Sequence, residues 1–183
     1  MFVFCIFFCE LCSELKTNNE MKIIYLIRHS KSDQSLGTLA DVDRPLNLRG
    51  YSDAEKMSRM MKENKIVPDA IITSPAVRAI STALIFARTI DFNQARLSIV
   101  PHLYHSNELT YLDIIAEMDN KINTLMLFAH NPVITNTANR LTQEVIEHVP
   151  TSGIVGISNN CDTWEKFVAS TGKLVLFSFP KNN

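Results

Sequence analysis

The sequence predicts an α/β fold: a three-layer sandwich with a mostly parallel central sheet of about six strands and helices on both faces. Three observations lead there. Short apolar runs recur along the chain, and helical patterns lie between most of them. The composition, 46% apolar and 20% charged, is that of an ordinary globular domain. At 183 residues the chain has room for one domain with a proper core.

Residues 1–20, "MFVFCIFFCELCSELKTNNE", stand apart from the rest of the chain. They open with nine apolar residues and hold three of the four cysteines. The basic start and small-residue cleavage site of a signal peptide are missing, and nine residues are too few to span a bilayer. We therefore expect an N-terminal extension outside the fold, with a membrane-associated leader as the alternative, and the working domain at residues 21–183. Cys9 and Cys12 form a CxxC, but no second pair completes a zinc set, and the remaining Cys161 leaves no disulfide framework. That cysteine usage fits a reducing, cytoplasmic setting.

Strands are expected at "KIIYLIR" (22–28), "DAIITS" (69–74), "RLSIVP" (96–101), "TLMLFAH" (124–130), "SGIVGIS" (152–158) and "KLVLFSF" (173–179). Between them, residues 49–64 carry Ala54, Met57, Met60 and Met61 at helical spacing, and residues 76–90 carry Ile80, Leu84, Ile85 and Ala87. Segments 108–119 and 132–142 read as helices too. The last two strands lie close in sequence, around "DTWEKF", and are expected to form an antiparallel edge.

Open α/β sheets bind ligands beyond the carboxyl ends of their strands, so the residues just after each apolar run matter most. The first run ends in Arg28-His29, the second in "TSPAVRA" (73–79) and the fourth in "AHNP" (129–132). Ser74 suits a helix N-cap and Pro75 a first helical residue. Arg78 then falls about one turn in, where a side chain leans back toward the helix mouth. Asn131 and Pro132 look like a second helix start, with His130 at the strand tip. If the three tips converge, they assemble two guanidiniums, two imidazoles and helix amide groups, which is the chemistry of a phosphate site. Taken singly each has a plain structural reading: a solvated Arg in a first turn, or a hydrogen-bonded His at a strand end. The net charge of −1 offers no global field for nucleic acid or anionic membrane, so the attraction is local.

In this order, "RH", "TSPAVRA" and "HNP", together with "DRPLNLRG" (43–50) and "TSGIVGI" (151–157), resemble the histidine phosphatase superfamily and, within it, the SixA-type phosphohistidine phosphatases. The likeness covers about residues 21–180. Ser30 replaces the family's usual Gly after the His, and Ala129 precedes His130; both are small. The resemblance implies a phosphoric monoester hydrolase in which His29 is the nucleophile, while Arg28, Arg78 and His130 bind the phosphoryl oxygens. Neighbouring cations would help keep His29 neutral. Glu108 lies near the place where related phosphatases keep a proton-donating acid, although a carboxylate also suits a helix start. Arg44, Ser30 and Asn131 are read as further substrate contacts; Arg44 has the alternative of pairing with Asp41 or Asp43.

The expected substrate is a phosphohistidine protein or a small phosphomonoester, with no metal, no cofactor, no nucleic acid and no stable membrane insertion. The rival readings are a phosphoglycerate-mutase-like phosphotransferase and a phosphate-binding module without turnover. Other chemistries fit poorly. There is no GxxxxGK[ST] and no GxGxxG. Asp41 and Asp43 spell DxD, but Pro45 and the lack of a preceding apolar strand argue against an aspartyl nucleophile. His102 and His105 lack a third metal ligand and read as exposed loop residues.

Overall fold

The computed structural model describes residues 21–35 and 37–180; the expected extension at 1–20, with Cys9 and Cys12, lies outside the described residues. The chain runs β1 (Met21–Arg28), α1 (Leu48–Glu63), β2 (Ala70–Thr73), α2 (Val77–Thr89), β3 (Leu97–Ile99), α3 (Glu108–Ala116), β4 (Thr124–Ala129), α4 (Val133–Leu141), β5 (Ile154–Asn160), α5 (Trp164–Ala169) and β6 (Lys173–Ser178). The six strands form one sheet in the order β3-β2-β4-β1-β5-β6. The β3-β2, β2-β4 and β4-β1 pairings are parallel. Both β1-β5 and β5-β6 are antiparallel.

The α/β sandwich expected from the sequence is thus present, with its larger part parallel. The antiparallel part reaches further inward than an edge, because β5 lies beside β1. After α4 the chain does not enter the sheet directly. Residues 142–153 first return to the carboxyl end of β1, where Arg28 N donates to Gly153 O at 3.0 Å. The Asn139 side chain pins this return segment by bonding both Ile146 N, at 2.8 Å, and Ile146 O, at 2.9 Å.

Alternation along β1 builds two cores. Ile24 and Leu26 join Tyr111, Ile134, Trp164 and Phe167 on one face of the sheet. Tyr25 and Ile27 join Met57, Phe86 and Phe128 on the other. Successive strand residues point to opposite faces, so a fully apolar strand serves both layers. In α2 the fully buried side is Ala79, Ala83, Phe86 and Ala87, whereas Ile80, Leu84 and Ile85 are only half-buried. Ala87 is buried as expected, but Ala79, Thr82, Ala83 and Phe86 take the buried side in place of Ile80, Leu84 and Ile85. Among the described residues, no helix is long and apolar enough to cross a membrane.

Candidate active site

Strand register brings the site together. Arg28 lies opposite Ala129 and Thr73 opposite Phe128, so the tips of β1, β2 and β4 end side by side. His29 N continues the ladder onto Ala129 O at 3.0 Å, and Ser74 N onto Phe128 O at 2.9 Å. Just past these bonds the chain turns away, leaving the side chains of Arg28, His29, Arg78 and His130 around a pocket of about 240 Å³. Lys31, Arg44 and Asn131 also line it.

His29 is buried, and its Nδ1 donates to the carbonyl of Ser30 at 2.8 Å. That bond assigns the proton to Nδ1 and leaves Nε2 unprotonated. Arg78 Nε in turn donates to Nε2 at 3.3 Å, which only an unprotonated nitrogen accepts. The His29 pKa is lowered to about 3, chiefly by burial, with His130, Arg78 and Arg28 adding to it. Desolvation, more than the neighbouring cations expected from the sequence, keeps the ring neutral. His130 is lowered to about 4 for the same leading reason. Its Nε2 shares a hydrogen bond with Ser74 Oγ at 2.7 Å, and its ring centroid lies 5.0 Å from that of His29.

Two buried nitrogens of pocket residues, Arg28 Nε and His130 Nδ1, have no partner. Orphaned polar atoms are rare in folded proteins and ask for an explanation. Arg28 is otherwise held by His148 Nε2 at 2.9 Å and by Val149 O at 3.0 Å.

The amino-acid sequence of residues 24–104 matches the model of the histidine phosphatase superfamily (branch 1). That stretch runs from β1 to Tyr104 and holds the Arg28-His29 tip and Arg78. Among solved structures, a protein of Agrobacterium tumefaciens assigned as a phosphohistidine phosphatase SixA superposes with a TM-score of 0.75 at 25% identity. That superposition covers 87% of this chain and 98% of that one. An uncharacterized protein of Mycobacterium leprae is 26% identical over 85% of this chain and 100% of its own length. Phosphoglycerate mutase 1 of Saccharomyces cerevisiae is 33% identical over 59% of this chain but 42% of its own length.

Within this fold, Arg28, His29, Arg78 and His130 come together as the sequence suggested, and Arg44 and Asn131 line the same pocket. Some local expectations need correction. The N-cap of α2 is Ala76, not Ser74, and Pro75 precedes the helix. Ser74 instead commits its hydroxyl to His130. Helix α4 begins at Val133 with Pro132 as its cap, one residue later than the sequence suggests.

Ser30 does not line the pocket. It is fully buried, its hydroxyl shares a 2.6 Å hydrogen bond with Ser152, and its amide donates to Thr82. It supports the loop from below and does not offer its hydroxyl to a substrate. Glu108 opens α3, capped by Asn107, and is not among the pocket residues.

Arg44 lines the pocket and at the same time pairs with Asp41, the alternative partner named from the sequence. From the sequence, Asp41 had no role at the site beyond that pairing. It also accepts from Arg78 Nη2 at 2.8 Å and from Tyr104 Oη at 2.7 Å. Sequence reasoning misses Tyr104, His148 and Thr151. Their loop segments carry no periodicity, although "TSGIVGI" flags the neighbourhood of Thr151 and Ser152.

Proposed function

We propose that this chain is a phosphohistidine phosphatase whose His29 Nε2 accepts the phosphoryl group. One observation carries the reading: His29 is buried and neutral, with Nδ1–H tied to Ser30 O and Nε2 aimed into a pocket of guanidiniums. A neutral imidazole with its lone pair directed at the reaction site is an activated nucleophile. Arg28, Arg78 and His130 then neutralise the charge spread over the phosphoryl oxygens, which is most of what such a transfer requires.

The steps balance without a redox partner. Nε2 forms a bond to phosphorus as the bond to the leaving nitrogen breaks; water then attacks the phosphoryl-His29 and releases phosphate. The choice of a phosphoramidate over an alkyl ester rests on the lining. Asp41, the carboxylate bound to Arg78 and Arg44 beside the pocket, is held ionised by Tyr104 and those two guanidiniums, and Glu108 is not among the lining residues, so neither offers a general acid for an alkoxide leaving group. A leaving imidazole can be protonated beforehand. The stretch similar to yeast phosphoglycerate mutase 1 supports a second reading, transfer of the phosphoryl group between two positions of a small acid.

The test is a phosphoenzyme trap with labelled phosphoramidate on wild type and His29→Ala. Acid-labile, alkali-stable label on wild type alone, with phosphate released, is the expected result. Label surviving in the variant moves the nucleophile elsewhere. No label and no release would leave a binding module, and isomer conversion without net release would favour the mutase reading.

A further inference from the structure

The short 3-10 turn Asp41–Asp43 contains no buried residue. Ahead of it, a side chain at Gly37 would meet nothing within 4 Å. The contacts that tie Asp41 to the domain are polar. Its backbone oxygen accepts from Arg78 Nη1, its Oδ2 from Arg78 Nη2 and Tyr104 Oη, and its Oδ1 from Arg44 Nη2. The Asp41 side chain is 47% exposed, yet it engages two of the three guanidiniums that line the pocket.

We infer that Asp41 is a resident anion of the pocket, which an incoming phosphoryl group displaces from Arg78 and Arg44 and which thereby sets the affinity for phosphate. This rests on reading the pocket as a phosphate site. A phosphoryl dianion offers three oxygens and twice the charge of a carboxylate, so it is the stronger partner for a guanidinium fork. Displacing Asp41 uncovers no apolar core, because its turn buries none, and the carboxylate has water on one side to return to. After hydrolysis the same carboxylate competes with the product and helps free phosphate from three cations. The Tyr104 hydroxyl bond and the two guanidiniums hold its pKa far below the ordinary carboxylate range, so it remains an anion throughout.

A different role for the same contacts would be to orient Arg78, and it has the opposite sign: loss of Asp41 would then weaken phosphate binding. Asp41→Asn keeps an acceptor oxygen and the shape while removing the charge. Inorganic phosphate titrated calorimetrically into wild type, Asp41→Asn and Asp43→Asn reads the difference. Expected is a Kd for phosphate about tenfold lower in Asp41→Asn, with a lower KM for phosphoramidate and no rise in kcat. Asp43→Asn, on the same turn, should shift far less.

Weaker or unchanged phosphate binding in Asp41→Asn overturns the inference, as does an equal shift in Asp43→Asn, which would mean a general field. If Asp41→Asn melts below the assay temperature, Tyr104→Phe loosens the same carboxylate and must also tighten phosphate. Tighter phosphate without any turnover would sink the hydrolytic reading and leave this one standing; no phosphate binding by any protein would sink both.

Discussion

Arg78 Nε donates to His29 Nε2 across 3.3 Å. The guanidinium therefore touches the atom we assign as nucleophile, from a helix that starts one residue before it. The side chain of Arg78 is only 6% exposed, so its direction is set by the surrounding structure.

Replacing Arg78 with Lys keeps a positive charge but loses the planar fork and the Nε–H aimed at His29. We expect kcat/KM for phosphoramidate to fall by about 10²–10³, the range typical of losing one transition-state donor. The fold should survive, since a long basic side chain is retained. Steady-state kinetics beside a thermal melt would check this; near-normal kcat/KM would show that charge alone suffices.

The two depressed histidines make stability depend on pH. An unfolded His gains its proton near 6.5, whereas His130 and His29 in the fold wait until about 4 and about 3. Between those values the unfolded state binds more protons, so stability falls as pH drops below about 6.5. Each His contributes up to about 1.4 kcal/mol per pH unit until its folded pKa is reached. Denaturant titrations from pH 7 to 4 should show this slope in wild type and a shallower one in His29→Ala. Parallel slopes would mean that His29 is not the buried neutral ring described. No acid limb near 6.5 from His29 should appear in kcat/KM either.

Gly50 lies in the first turn of α1, against the loop that follows His29. A Cβ there would stand 2.1 Å from the carbonyl oxygen of Lys31, and Lys31 O is the acceptor for Asn47 N. The obstacle is backbone, which cannot rotate aside. Gly50→Ala should cost about 1–3 kcal/mol or more and distort the pocket wall that includes Lys31 and Ser32. A melt together with phosphate titration measures both; an unaffected protein would show that the loop has slack.

Ser152 closes the floor of the site. It has φ 59, its N donates to His29 O at 3.3 Å, and its hydroxyl pairs with that of Ser30. Ser152→Ala leaves the fully buried Ser30 hydroxyl without this partner, at an expected loss of about 1–3 kcal/mol. Activity on phosphoramidate should drop much less than in Arg78→Lys, because neither serine hydroxyl faces the pocket. A large kinetic loss without a stability loss would place Ser30 or Ser152 nearer the chemistry.

Much of this site is legible in the amino-acid sequence. Apolar runs that stop at Arg28-His29, Ser74 and His130 mark buried strands with polar tips, and a parallel sheet lines such tips up. Ser30, by contrast, resembles a substrate contact because it follows His29; in an extended chain the next side chain points the other way, here into the floor beside Ser152. Family likeness alone suggests Glu108, and the start of α3 lies off the pocket.

The sequence by itself therefore determined the layers, the strand tips and the identity of the four groups around the pocket, because hydrophobic periodicity and strand-end chemistry are local. Tertiary structure alone decided which partners those groups keep. Arg78 meets Asp41 across 37 positions, Tyr104 meets Asp41 across 63, and Arg28 meets His148 across 120. Such pairings join loops brought close only after the sheet and its return segment are in place, and no spacing rule along the chain encodes them.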